Sequence, residues 1–279
     1  METSVSHQAY EASRLDDSET HKMLSKTYPY TILITEDDDE VRCFLERELS
    51  PHFKTRTAAN GKDALRVLEE EEISLVVSDV MMPEMNGFEL CRTIKSQLPF
   101  SHIPVIILTA LTDERQRIFG ITGGADDYIQ KPFHTDYVKI KIIHLLQERQ
   151  KLRERLLEKL RDNKLLLSEP EKVESIDDAF LRKFAEQIEA VYADPEYNVE
   201  KLSETLGLSR GHLHRKIKEL TGTAPVEFLR TYRLNKATQL LRQNAYTVSE
   251  VAYRTGFSSP AYFSKCFKAV YGVTPTEYQ

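Results

Sequence analysis

The sequence predicts two folds in one chain. An α/β domain with a five-stranded parallel sheet occupies residues 29–148, and an all-α domain built on an internal repeat occupies residues 177–279. Three observations predict this. Five short apolar runs alternate with helical patterns, as in a parallel sheet covered on both faces. Residues 199–225 and 248–275 parallel one another, the mark of a duplicated unit. Charge is polarised as well: residues 1–150 carry -9, residues 151–200 carry -4 and residues 201–279 carry +7, within a net charge of -6. Acidic and basic ends of this kind do different jobs. A length of 279 residues is enough for two cores.

Residues 1–28 are polar with little periodicity and read as a disordered leader or linker. Tyr30–Thr35 is the first strand, and Glu36, Asp37, Asp38 and Asp39 follow its end. Asp38–Leu49 has helical spacing. Lys54–Ala58 is a weaker strand nearer an edge, Asn60-Gly61 a turn, and Ala64, Leu65, Val67 and Leu68 mark a second helix. Ile73–Ser78 is the third strand and ends at Asp79. Phe88–Lys95 is a helix, and Pro104–Leu108 a strand ending at Thr109 and Ala110. Asp113–Phe119 is a helix closed by a turn at Gly123-Gly124. Asp127–Gln130 is the fifth strand and ends at Lys131-Pro132, and Val138–Leu146 begins a fifth helix.

Parallel strands present their carboxyl ends at one edge, where chemistry collects in open α/β folds. Glu36, Asp37, Asp79, Thr109 and Lys131 therefore converge. Three crowded carboxylates repel one another unless a cation sits among them, and hard oxygen donors suit Mg²⁺. In that setting Asp79 can accept a phosphoryl group, with Mg²⁺ and Lys131 neutralising charge and Thr109 donating to the arriving oxygens. For any lone strand-end Asp or Thr, a turn or cap is the better reading. Five such groups of suitable chemistry on four strand ends favour a site.

The motifs TILITEDDDEVR, VVSDVMMPEMNG, ILTA and DDYIQKPF resemble those of CheY-like receiver domains of two-component response regulators, a flavodoxin-like fold. The likeness spans the whole first domain. The resemblance implies that Asp79 is the phosphoacceptor and Asp37 a direct Mg²⁺ ligand. It also implies that Glu36 supports the ion through water and that the Met81 carbonyl is a further ligand. Thr109 and Tyr128 would be the switch pair, and the Lys131–Pro132 bond cis. Glu36 stands where the family pattern has Asp. The run Asp37-Asp38-Asp39 leaves a second register open, but the strand TILIT and the placement of Arg42 favour Glu36/Asp37.

Residues 149–176 read as a helical connector and acidic linker. Tyr137–Leu167 is helical and charged, with Leu152, Leu156, Leu157, Leu160 and Leu165 but no clean heptad, and it either self-associates or is a solvated amphipathic helix. Residues 168–178 are acidic, with Asp177 a candidate N-cap. Ala179–Ala193 is a helix with Phe180, Phe184, Ile188 and Val191 on one face. In the repeat, Gly207 pairs with Gly256, Ser209 with Ser258, Leu213 with Phe263, Ile217 with Phe267 and Gly222 with Gly272. Each copy is a short helix, a turn at Gly, a Ser cap and a longer basic helix: a helix-turn-helix. Val226–Gln243 between them reads as one helix, about 27 Å long at ~1.5 Å per residue. That length could hold two recognition helices near the ~34 Å repeat of successive major grooves.

Residues 177–279 resemble an AraC/XylS-type DNA-binding domain, most clearly in VSEVAYRTGFSSPAYFSKCFKAVYGVTPTEY. By that resemblance His214 and Arg215 in the first reader, and Ser259, Ala261 and Lys265 in the second, face bases. Arg210, Lys218 and Lys268 hold phosphates, which position without specifying. The two resemblances together imply a phosphorylation-controlled transcriptional regulator that binds double-stranded DNA. They imply a cognate histidine kinase as phosphoryl donor, in trans or from an upstream part of a hybrid sensor, a homodimer when phosphorylated, and contact with RNA polymerase. A phosphorylation-independent DNA binder is the rival. An aspartyl-phosphate phosphohydrolase would need a second Asp where Met81 stands, so no enzyme activity is expected. The widely spaced Cys43, Cys91 and Cys266 suit reduced thiols, and the chain lacks a signal peptide and a membrane-length apolar run, so a cytoplasmic location with no membrane partner is expected.

Overall fold

A computed structural model describes residues 22–110, 124–161 and 175–279. Most of the expected leader, the helix expected over Asp113–Phe119 and the linker over 162–174, with Leu165, lie outside the described residues, as do the side chains of Leu156, Leu157 and Leu160. The chain divides into two compact units, Met1–Gln150 and Lys151–Gln279. No helix among the described residues is long and apolar enough to cross a membrane.

The first unit contains strands β1 (Thr31–Thr35), β2 (Lys54–Ala58), β3 (Leu75–Asp79), β4 (Val105–Thr109) and β5 (Asp127–Gln130). All pair in parallel, in the order β2-β1-β3-β4-β5. The weak strand β2 is at an edge, as its polar sequence predicts. β3 is buried along its whole length, which explains its unbroken apolar run. The period-two alternation of the strands divides two cores. Ile32, Ile34, Val77, Ile106 and Leu108 face one side, where they meet α1 (Asp39–Leu49) and α4 (Thr135–Arg161). Leu33, Val76, Val105 and Ile107 face the other, against α2 (Gly61–Glu70) and α3 (Gly87–Ser96).

Local chemistry fixes where these helices begin. Asp38 caps α1, accepting from the backbone N–H groups of Glu40 and Val41. Asn86 and Glu89 form a capping box on α3. Asn60-Gly61 is not a free turn. Asn60 is the N-cap of α2, its side chain accepting from the Asp63 N–H, and Gly61 is the first helical residue. α4 continues past residue 148, as the helical pattern from Tyr137 onward predicts, and Leu152 on it is exposed.

The second unit is helical: α5 (Ile176–Val191), α6 (Val199–Leu206), α7 (Arg210–Thr221), α8 (Pro225–Arg242), α9 (Val248–Arg254), α10 (Pro260–Tyr271) and α11 (Pro275–Tyr278). Asp177 does not cap α5. Ser175 does, in a capping box with Asp178, and Asp177 pairs instead with the fully buried Lys216 of α7 at 2.5 Å. The ammonium also lies over the Phe180 ring, 5.1 Å from its centroid. α8 is shared by two cores. Phe228 packs edge-on against Phe184 at 4.7 Å, and Leu234, Ala237 and Leu241 join the cluster around Phe263 and Phe267 of α10. Arg233 of α8 donates to the Tyr192 and Asp194 carbonyls, tying it to the end of α5. At Gly256 the backbone has φ +77°, and a Cβ would stand 2.1 Å from the Tyr192 carbonyl oxygen, so a side chain is excluded twice over.

The repeat needs one correction of register. Ser209 caps α7, but α10 is capped by Ser259, with Pro260 as its first residue. Ser259, not Ser258, is the counterpart of Ser209, so the second copy has one more residue between glycine and cap.

Cys91 and Cys266 are buried and Cys43 is exposed. Burial pushes the Cys91 thiol up to about 11. With a colorimetric thiol reagent at neutral pH, one thiol should react quickly in the folded protein and the other two only on unfolding. Fast reaction of all three would contradict this packing.

Candidate functional site

The register of the sheet assembles the first site. Thr35 lies beside Ser78 and Asp79 beside Leu108. Glu36 and Asp37, which leave β1, therefore stand next to Asp79 at the end of β3. This is where the strand order reverses about β1, the crevice in which open α/β sheets bind ligands. Carboxylate oxygens of Glu36, Asp37 and Asp79 all lie within 4.8 Å of one another. Glu36 and Asp79 are buried and Asp37 is exposed. Two unit charges at that separation repel by about 3 kcal/mol at an effective dielectric of ~20.

Lys131, just past β5, offsets part of this. Its ammonium lies 2.6 Å from Asp79 Oδ1 and 2.9 Å from Glu36 Oε2. Its backbone N–H donates to the Thr109 carbonyl at 2.7 Å, which anchors it to the end of β4. Burial acts to lower the Lys131 pKa, but hydrogen bonds and charge from Asp79 and Glu36 outweigh it, and the net shift is upward. Burial likewise raises the Glu36 carboxyl, and Asp79 adds to the rise while Lys131 opposes it. Among the described residues, one ammonium faces three carboxylates, which leaves the cluster short of positive charge. With all-oxygen donors and one exposed member, Glu36, Asp37 and Asp79 could hold a hard divalent cation.

Which acids belong to the cluster follows from their neighbours. Asp38 is occupied as the cap of α1, and Asp39 pairs with Arg42. The Arg42 guanidinium also donates to the Glu36 carbonyl at 2.7 Å, pinning the loop that presents Glu36 and Asp37. Asp79 Oδ2 accepts from the Met81 N–H at 2.7 Å, while the Met81 side chain points to solvent. Thr109 is half-buried at the end of β4. Tyr128 packs its ring against the core beneath α3, and burial pushes its phenol up to about 12. The Lys131–Pro132 bond is cis.

The recognition helices of the repeat carry the second set of residues. On α7, His214 and Lys218 are exposed, Arg215 is half-buried, and Arg210 forms an exposed ion pair with Glu200 at 2.7 Å. On α10, Ala261, Lys265 and Lys268 are exposed, and the Ser259 hydroxyl accepts from the Tyr262 N–H. Leu213 and Ile217, like Phe263 and Phe267, turn inward, which leaves His214 and Lys218 on α7 and Lys265 and Lys268 on α10 on the exposed side, while Lys216 is buried.

A family model described as a response regulator receiver domain matches residues 32–143, and one described as a helix-turn-helix domain matches residues 202–279. Residues 32–143 are a response regulator receiver domain, and residues 202–279 are an AraC-type helix-turn-helix domain. Histidine kinase P4 of Formosa agariphila is 37% identical over 95% of this chain, which spans 19% of that protein. The transcriptional regulatory protein GltR of Pseudomonas aeruginosa is 43% identical over 43% of this chain and 50% of its own length. The chain thus spans half or less of these relatives. A signal receiver domain of a histidine kinase from Syntrophus aciditrophicus has 38% identity over 43% of this chain and 91% of its own, with a TM-score of 0.41.

Two structural features escape sequence reasoning, one in each domain. Gly87 opens α3 so close to β3 that a Cβ would stand 2.0 Å from the Asp79 carbonyl oxygen. The Asn-Gly pair signals a turn, and the close approach shows only in three dimensions. Tyr262 is exposed in the first turn of α10, but it stands among aromatic residues that are core, and nothing in the sequence sets it apart from them. Gly87→Ala should destabilise the receiver domain by about 1–3 kcal/mol through overpacking. In urea the midpoint should fall with the slope unchanged, and an unshifted midpoint would mean that the contact relaxes without cost.

Proposed function

We propose that the chain is a DNA-binding regulator controlled by phosphorylation of Asp79. The observation that carries this is the cluster of Glu36, Asp37, Asp79 and Lys131 at the switch point of the sheet, in a chain that also carries a helix-turn-helix domain. The donor is a histidine kinase. An Asp79 carboxylate oxygen attacks phosphorus, a P–O bond forms, and the P–N bond to the donor imidazole breaks, its electron pair returning to the ring nitrogen. Lys131 already touches Asp79 and offsets the charge of the arriving oxygens. Glu36 and Lys131 orient the carboxylate, and Thr109 donates to the transferred group. Asp37, Asp79 and the Met81 carbonyl, with Glu36 in support, would hold Mg²⁺, which would supply electrostatic stabilisation of the transferred charge.

In this reading Thr109 moves toward the phosphoryl group and Tyr128 follows it inward, which alters dimerisation or frees the DNA-binding face. A full reversal from 1:99 to 99:1 needs about 5.5 kcal/mol of differential interaction. On the DNA side, His214, Arg215, Ser259, Ala261 and Lys265 face bases, and Arg210, Lys218 and Lys268 hold phosphates, Arg210 after leaving Glu200. RNA polymerase is the downstream partner. The match to a histidine kinase, of which the chain spans 19%, does not favour a donor on the same polypeptide.

Selection of bound DNA from a random pool, on unmodified protein, on protein with Mg²⁺ and a phosphoryl mimic, and on Asp79→Asn, tests the reading. The expected result is a site of two short boxes about one helical turn apart, enriched mainly with the mimic and lost with Asp79→Asn. Equal enrichment in all three would remove phosphoryl control and favour the phosphorylation-independent binder.

The charge shortfall gives a second test. Lys131→Met should lower the thermal midpoint in chelator and make the protein more responsive to Mg²⁺, because a ligand at a hundred times its Kd stabilises by about 2.7 kcal/mol. A variant that melts like the parent with and without Mg²⁺ would show that Lys131 does not compensate the acids.

A further inference from the structure

The two recognition helices differ at equivalent positions. His212 is the third residue of α7 and Tyr262 the third of α10, each three places after its capping serine. His212 turns back onto the cap. Its Nδ1 lies 3.0 Å from the Ser209 hydroxyl, and its ring is half-buried. Tyr262 turns outward and is 52% exposed, while one side of its ring leans on Phe257 at 6.3 Å. Phe257 is itself buried in the turn before α10, so the Tyr262 ring is braced from behind and presented outward.

The helical residues that precede Tyr262 are apolar, and the serines lie before them, at the cap. Pro260 and Ala261 precede it on the first turn, and Ala261 is exposed. Lysines aside, α10 has no side chain of the type that reads a base edge bidentately: no Arg, Asn or Gln occurs in PAYFSKCFKAVY. Its lysines, Lys265 and Lys268, lie one and two turns further on. The first turn of a recognition helix is the part that meets base edges. On α10 that part offers a methyl group, a proline ring and a phenol, beside the Ser259 hydroxyl that accepts from the Tyr262 N–H. In the major groove the base feature that matches such a surface is the C5-methyl group of thymine.

We propose that Tyr262, with Ala261, reads thymine methyl groups in the second half-site, whereas α7 reads the first half-site through His214 and Arg215. This inference rests on the DNA-binding reading above and adds the chemistry of one half-site. Tyr262 acts through its ring, with no hydrogen bond required from its hydroxyl. The two halves of the site then differ in chemistry, which gives the asymmetric domain a direction on the duplex.

The test uses the full chain and the DNA site selected above, with thymine replaced by uracil in one box at a time. Wild type should lose about fourfold in affinity for each contacted methyl group removed from one box, and little for the other box. Tyr262→Ala should bind the thymine site more weakly and no longer distinguish thymine from uracil in that box. Tyr262→Phe should behave as wild type. Because Tyr262 is exposed and its backbone N–H, not its side chain, completes the cap, the variants should melt as the parent does. Equal loss of Tyr262→Ala on thymine and uracil DNA, or no loss at all, would overturn the proposal. So would loss in Tyr262→Phe, or a selected site without thymine in either box. Failure of every protein to bind any DNA would instead overturn the DNA-binding reading, and this inference with it.

Discussion

The contact of Lys131 with both Asp79 and Glu36 is the interaction on which the first unit's chemistry depends. Two of the clustered carboxylates are buried, and water cannot screen them as it would on the surface. At the separations seen, their mutual repulsion amounts to a few kcal/mol for each pair, a sizeable part of a domain's net stability. A single ammonium shared between Glu36 and Asp79 makes the arrangement tolerable, and among the described residues no ion pair reaches Asp37 at the rim. The site is therefore stable enough to persist, and its donors are of the all-oxygen type that suits a hard divalent cation. Five strands in parallel register, the cap at Asp38 and the Arg42 contact to the Glu36 carbonyl all serve to hold those few atoms together.

Much of this is legible in the sequence, for identifiable reasons. β3 is an unbroken apolar run because both faces of the sheet are covered, and Asp79 stands out at its end. The choice of Glu36 and Asp37 over Asp37 and Asp38 can be favoured but not fixed, because it turns on which acid caps α1. Asn60-Gly61 misleads because an Asn-Gly pair suits a hairpin turn and a helix start equally. What decides it is the approach of Gly61 to Met85, where a Cβ would meet the Met85 side chain at 2.6 Å. The cap of α5 misleads for a similar reason. Ser175, Asp177 and Asp178 are all capable acceptors, and Lys216, far along the chain, draws Asp177 off to itself. Ser258 and Ser259 are adjacent and chemically identical, and the one local signal between them is Pro260, which suits the first helical position and leaves Ser259 as the cap. In the other cases the local chemistry is plain, and what chooses among equivalent candidates is the three-dimensional setting.

The duplicated helices show how a repeat can keep its architecture and diverge in chemistry. Leu213 and Phe263, Ile217 and Phe267, and Gly222 and Gly272 keep the same structural posts in both copies. The third helical residues do not correspond in this way: His212 folds back on its capping serine, whereas Tyr262 is exposed. Inward positions are constrained by close packing and outward ones by whatever they meet, so the two sets are free to change separately.

α8 has a consequence for the domain as a unit of inheritance. Its side chains complete the cores on both sides, and Arg233 fastens it to the end of α5. Neither half owns a closed interior without it. The two halves consequently cannot be cut apart and recombined as cassettes, although their sequences suggest a simple tandem. Damage to α8 propagates to both copies, and an improvement in its packing benefits both. The duplication has produced a single indivisible part with two faces, not two interchangeable ones.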